Sequence, residues 1–301
     1  MATATGTLAE KAIPARRARR RSRWRAIPLP VAAFMLVIVA IVAMALLAPL
    51  VAPYDPNRGV LRGRLLAPSW WPGGHPAYLL GSDEQGRDVL SRIIWGARIS
   101  LTVGFAAVLI GGVLGSVLGL VAGYFGRTVD EVIMTLADIQ LAFPFILLAI
   151  AVIAVVGASL RTLIVVVGLS GWVTYARIAR AQVLGLKERE FVTAVRSIGG
   201  SDARILARHI LPNILSPLIV VASLDLARTI ILESTLSFLG LGVQPPTASW
   251  GSMLGAGREY INTGQWWLSF FPGLLLTLTT IGVSRIGDWV RDVLDPTMRN
   301  V

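Results

Sequence analysis

The chain has 301 residues, 54% hydrophobic and only 15% charged, with a mean hydropathy of +0.69. Soluble domains carry about 25% charged residues, so this balance belongs to a membrane-embedded protein. Cysteine is absent and histidine occurs only at His75 and His209, which excludes a disulfide scaffold, a thiolate or multi-histidine metal centre and a cysteine nucleophile.

The N-terminal tail from Lys11 to Arg25 holds eight basic residues and no acid. It reads as a topology anchor that also attracts anionic lipid. Between Arg25 and Asp55 lie 29 uncharged residues, including Val31 to Leu50. A helix crosses a hydrocarbon core of about 30 Å in roughly 20 residues, so this is the first span. Ala43-Met44-Ala45 resembles a signal-peptide cleavage site, but the apolar run exceeds an h-region of about 7 to 15 residues. Ser82 and Gln85 then fit the S-x-x-Q capping box and predict a short helix outside the membrane, bracing its outer rim.

Uncharged stretches at Ile99 to Gly126, Gln140 to Leu160 and Tyr260 to Ser284 supply spans two, three and six. Thr162 to Ala176 is only 15 uncharged residues, but Arg177 and Arg180 can snorkel at its end and extend span four. Span five, Leu211 to Leu232, contains Asp225 and Arg228. These two are three residues apart and can meet on one helix face. Intramembrane charges are costly and usually face a cavity or a partner helix. Asp225 and Arg228, with Glu233 beyond them, are therefore candidates for lining a solute pathway; a self-satisfied ion pair that locks helices is the alternative. The uncharged stretch Ser234 to Gly257 is interrupted by five glycines and by Pro245-Pro246. It predicts an external loop or re-entrant hairpin rather than a seventh span.

With the N-terminus inside and six spans, nineteen Lys and Arg fall on the inner side and eight on the outer. Both termini are thus expected to be cytoplasmic. The net charge of +11 becomes a topology signal rather than a nucleic-acid signal, because it is not gathered on one soluble face. The expected organisation is a basic tail over 1–26, a first span over 27–52 and an extracytoplasmic segment over 53–98. A core of five helices over 99–290 and a cytoplasmic tail over 291–301 complete it.

The chain lacks G-x-x-x-x-G-K-[ST], and neither Lys11 nor Lys187 follows a glycine, so the phosphate cradle of an ATPase is missing. H-E-x-x-H is missing too. Gly168-Leu169-Ser170-Gly171 matches the G-x-S-G of rhomboid-like intramembrane serine proteases. The only plausible base, His209, is expected at the edge of span five, far from a mid-membrane Ser170. A small-residue helix contact explains the motif better.

Between spans four and five, Arg177 to His209 holds seven basic and three acidic residues. Phe191, Val192, Val195 and Ile198 predict one apolar face of a short helix. Gly199-Gly200 break it, Ser201 or Asp202 can cap a second helix carrying Ile205, Leu206 and Ile210, and Pro212 closes that helix. An apolar face in a water-facing loop must be covered by the chain itself, by lipid or by the groove of a soluble partner.

Phe191-Val-Thr-Ala-Val-Arg-Ser-Ile-Gly199, followed after nine residues by His209-Ile-Leu211-Pro212, resembles the EAA loop of ABC-importer permeases. Thr193 stands where the glutamate of that loop is usual, and Val195 where its second alanine is usual. Leu80-Gly-Ser-Asp-Glu-Gln-Gly-Arg-Asp-Val-Leu-Ser-Arg92 and Gly96 to Leu101 resemble the C-type subunits of dipeptide and oligopeptide permeases. So do Asp130, Asp138, Phe143-Pro144, Leu236 to Gly242, Pro245-Pro246, Ser249-Trp-Gly251, Gly287-Asp288 and Leu294-Asp-Pro296.

The resemblance implies an all-α polytopic membrane protein of six spans, with spans two to six forming a type I importer core and span one peripheral. It implies a cytoplasmic-membrane location, a homologous second permease subunit, two cytoplasmic ABC ATPases and an extracytoplasmic solute-binding protein that docks on the outer face. ATP and Mg would lie on the ATPases, with no cofactor and no bond chemistry on this chain. The loop over 189–212 would dock into an ATPase through Phe191, Thr193, Ala194, Arg196, Gly199, Asp202, Leu211 and Pro212. Cargo in such permeases includes dipeptides, oligopeptides, nickel complexes, glutathione and oligosaccharides. A self-sufficient secondary transporter or channel is the competing class, expected to show internal repeats, and none is visible between the halves.

Overall fold

The computed structural model describes residues 27–294; the basic tail and the last seven residues, including most of the Leu294-Asp-Pro296 motif, lie outside the described residues. Five helices are long and apolar enough to cross a membrane. They are α1 (Leu29–Leu46), α3 (Val89–Phe125), α6 (Leu160–Leu186), the run Asp202–Phe238, and α11 (Trp267–Leu294). A four-residue helix α2 (Ala48–Val51) trails α1. Six crossings result when the bent pair α4 (Arg127–Ala142) and α5 (Phe145–Val156) is counted as one.

That bend corrects the expectation of a straight third span over 140–160. The two helices meet at 90°. Pro144 disfavours helical backbone at Phe143, which is extended at φ −102°, ψ 134°, and α5 is left with only 12 residues.

The core of the bundle is the close pair α3 and α6. Gly111, Gly115, Gly119 and Gly123 recur every fourth residue and form one stripe along α3. A Cβ added at these positions would lie 2.7, 2.1, 2.2 and 2.9 Å from the carbonyl oxygens of Gly168, Trp172, Ala176 and Arg180. Backbone therefore meets backbone along the seam, the small-residue contact that replaces hydrophobic driving force within lipid. Gly168 belongs to this seam, as the protease-like motif's alternative reading required.

Helix α9 (Leu211–Phe238) packs against α3, α6 and α11, and α1 lies outside them on α11 and α3. Only Ile41 and Ala45 of α1 are buried, so it is peripheral. The stretch 234–257 makes no seventh crossing. After Phe238 the chain turns through 239–249 into the eight-residue α10 (Trp250–Gly257), which packs on α9 and α11. Trp250 is fully buried there and donates its indole N–H to the Ile93 carbonyl at 3.1 Å.

The segment before α3 is ordered without the helix expected from Ser82 and Gln85. Ser82 is buried; its hydroxyl donates to the Gly63 carbonyl and accepts from Leu66 N–H at 2.8 Å. Asp83 instead accepts N–H bonds from Gln85 and Arg87, each 2.9 Å, and closes a turn. The helix starts six residues later, where Asp88 accepts from Ser91 N–H at 2.8 Å. At the same end, Trp70, Trp71, Trp266, Phe270 and Phe271 form a cluster of edge-on and tilted rings around Trp266.

Candidate coupling loop and charged groups of the bundle

The loop after α6 is a compact platform. Helix α7 (Glu190–Ser197) ends at Gly199, whose φ of +82° lies in the left-handed region. Gly200 N–H bonds the Val195 carbonyl at 2.9 Å and Gly199 N–H bonds that of Arg196 at 3.1 Å, the paired bonds of a Schellman motif. Val192 is fully buried and Val195 half-buried, packing with Ile205, Ile210 and Ile214 on Tyr175, Ala179 and Val183 of α6. Phe191 and Ile198 remain 42% and 85% exposed.

Thr193, Ala194, Arg196 and Asp202 are exposed around these two side chains. Leu211 is half-buried at the rear of the platform and Pro212 is exposed. Pro212 does not close a helix. A single turn, α8 (Asp202–Arg204), runs through a π turn, Ile205–Ile210, directly into α9. Leu211 N–H bonds Leu206 five residues back, and Asn213 Nδ2 donates to the His209 carbonyl at 2.6 Å. The wider turn accommodates a proline that has no N–H to offer.

Sequence reasoning missed what holds the platform. Tyr124, near the end of α3, donates its hydroxyl to Asp202 Oδ1 at 2.5 Å and accepts from Arg196 Nη2 at 3.5 Å. Lys187 Nζ donates to the Gly123 carbonyl at 3.1 Å. The available signal was a tyrosine at the end of an apolar run, with one polar tip to satisfy. Arg177 and Arg180 also do more than snorkel. Arg177 pairs with Asp138 of α4 at 2.6 Å, and Arg180 grips both oxygens of Asp130.

The three pathway candidates separate. Asp225 and Arg228 form no ion pair within 4 Å; Asp225 is half-buried and accepts from the Tyr175 hydroxyl at 3.1 Å, while Arg228 is exposed. The expected mutual pairing is replaced by a cross-helix bond, and Gly171 makes room for it: a Cβ there would stand 3.3 Å from Asp225 Oδ2. Glu233 is wholly buried within this chain. It accepts from Ser237 at 2.7 Å and Ser234 at 3.2 Å. Serine hydroxyls satisfy the buried carboxyl group, which is how burial of a polar group is tolerated. Ser170, the protease decoy, donates to the Val167 carbonyl at 2.6 Å. Among the described residues no hydrogen bond joins it to a histidine.

Apolar crossings that carry charged groups inside the span, with a structured loop between two of them, make this a polytopic membrane protein, and its relatives are transport permeases. The chain belongs to the family of binding-protein-dependent transport system inner membrane components, which matches residues 115–300. The N-terminal TM domain of oligopeptide transport permease C matches residues 18–68.

Among relatives, the di/tripeptide transport system permease protein DppC of Pseudomonas aeruginosa is 43% identical over 88% of each chain. The dipeptide transport system permease protein DppC of Haemophilus influenzae is 40% identical over 88% of this chain and 90% of that one. The probable D,D-dipeptide permease DdpC of Escherichia coli is 40% identical over 86% and 85%. The solved MetNI methionine ABC transporter, inward facing, matches in fold with a TM-score of 0.54 at 20% identity, covering 68% of this chain and 97% of that one.

Proposed function

We propose that this chain is a permease subunit of an ATP-driven importer that carries di- and oligopeptides, or a related small solute, across the cytoplasmic membrane. Both termini face the cytoplasm. It pairs with a homologous second permease, receives cargo from an extracytoplasmic binding protein and is driven by two ABC ATPases that hold the ATP and Mg. The chain itself needs no cofactor. The names of its relatives support the peptide assignment.

The observation that carries the coupling role is the division of labour in α7. Val192 and Val195 anchor the helix to α6, while Phe191 and Ile198, at the rim of the same apolar face, are left 42% and 85% exposed. Two large apolar side chains on a short, capped helix are the anchors of helix-in-groove recognition. Replacing both by serine leaves the chain's own packing intact, so its melting temperature should hold, while the ATPase should no longer co-purify with it. Undiminished co-purification overturns the docking assignment. Peptide flux through liposomes containing this chain alone would favour the secondary-transporter reading.

A further inference from the structure

We infer that Tyr124 is a positioning residue for coupling: its hydroxyl clasps the loop to the end of α3, so that loop and α3–α6 seam move as one body. The inference rests on the docking role proposed above.

Tyr124 reaches both sides of the Gly199 turn. Arg196 precedes that turn in α7, and its guanidinium lies 5.8 Å from the ring centroid and bonds the hydroxyl oxygen. Asp202 follows the turn and accepts the hydroxyl proton. One aromatic residue, 78 positions before Asp202 in sequence, thus spans the platform from outside it. Lys187 adds a second tie to the neighbouring Gly123 carbonyl.

The two exits from the platform differ in stiffness. Toward α6 and α3 the path leads into the glycine seam, where carbonyl oxygens stand in contact with glycine backbone and no side-chain layer can slide. Toward α9 it leads through the π turn, an irregular form whose helical hydrogen bonds are re-registered and which recurs at functional sites. A push on α7 can therefore be taken up at the π turn or delivered to the seam. The clasp at Tyr124 selects the seam, because it stops the platform from pivoting on α6 alone.

The test uses the whole complex, purified through a tag on this chain, reconstituted with its binding protein and supplied with an equimolar dipeptide library read by mass spectrometry. Tyr124→Phe keeps the ring under Arg196 and removes only the hydroxyl. Co-purified ATPase and melting temperature should stay at wild-type levels, while ATP consumed per peptide imported rises about fivefold, the scale of one net hydrogen bond. Asp202→Ala, which removes the accepting oxygen, should raise the ATP-to-peptide ratio alike, and the double variant should raise it no further than either, since both remove one shared bond.

An unchanged ATP-to-peptide ratio in an intact Tyr124→Phe complex overturns the clasp and leaves the docking role standing. Loss of ATPase in proportion to loss of uptake also overturns it, by assigning Tyr124 to loop folding alone. A wild-type complex that retains no ATPase or imports no peptide overturns the underlying reading itself.

Discussion

The two ends of the bundle treat charge in opposite ways. Where α3 begins, Asp83, Arg87 and Arg92 are 5%, 4% and 7% exposed and satisfy one another, with Arg87 at 2.6 Å and Arg92 at 3.3 Å from one carboxylate oxygen. Where α3 ends, Arg177 and Asp138 pair in the open, and Phe191 and Ile198 stay exposed. At the first end the buried charges are neutralised within one chain. The second presents unfinished apolar surface, the condition of a face built to receive another molecule.

The sharpest way to break this contrast is Asp83→Ala. It leaves Arg92 buried without its carboxylate and Arg87 with only Glu84, and uncompensated buried charge costs about 3 kcal/mol or more. A large fall in the melting temperature of the purified protein should follow, whereas the serine substitutions on α7 should leave it within about 0.5 kcal/mol of wild type.

Gly199→Val acts on the other end and at smaller scale. A branched side chain at φ +82° costs roughly 1–2 kcal/mol, confined to the end of α7. Hydrogen exchange over 190–205 should quicken while the bundle's protection persists, and ATP hydrolysis should continue without import.

The mildest expected effect is Asp88→Asn at the start of α3. Burial pushes the Asp88 carboxyl above its ordinary value of 3.8, against the lowering influence of its bonds from Ser91. Its contribution to stability is therefore full below 3.8 and declines as pH rises through the folded-state value. Asparagine keeps the capping oxygen without the charge, so melting temperature should lose that slope above 3.8. Alanine should instead lower stability by about 1 kcal/mol at every pH.

The crossings were legible because solvation alone decides them: runs of uncharged residues such as Val31 to Leu50 have no other place to go. The platform's own turn was legible too, since Gly199-Gly200 after an amphipathic helix signals its cap. What stayed hidden depended on partners distant in sequence. Tyr175 lies 50 residues from Asp225, and nothing local to span five distinguishes a bond to Tyr175 from one to Arg228. Ser82 looked like a cap, and tertiary contacts with Gly63 and Leu66 drew it away from that role. The third span hid its bend because hydropathy is blind to Pro144 inside an apolar run.

The aromatic cluster around Trp266 bears on how such a bundle can move. Indole rings settle at the boundary between hydrocarbon and headgroups, where an apolar body and a polar N–H are both accommodated. Trp70, Trp71 and Trp266, gathered at one rim of the molecule, are side chains of this kind, suited to hold that rim at constant depth. A body moored at one rim tilts rather than sinks, and the excursion grows with distance from the mooring. Helix α3 carries that distance through 37 residues, about 55 Å, so a few degrees at the tryptophans become several ångströms at Tyr124.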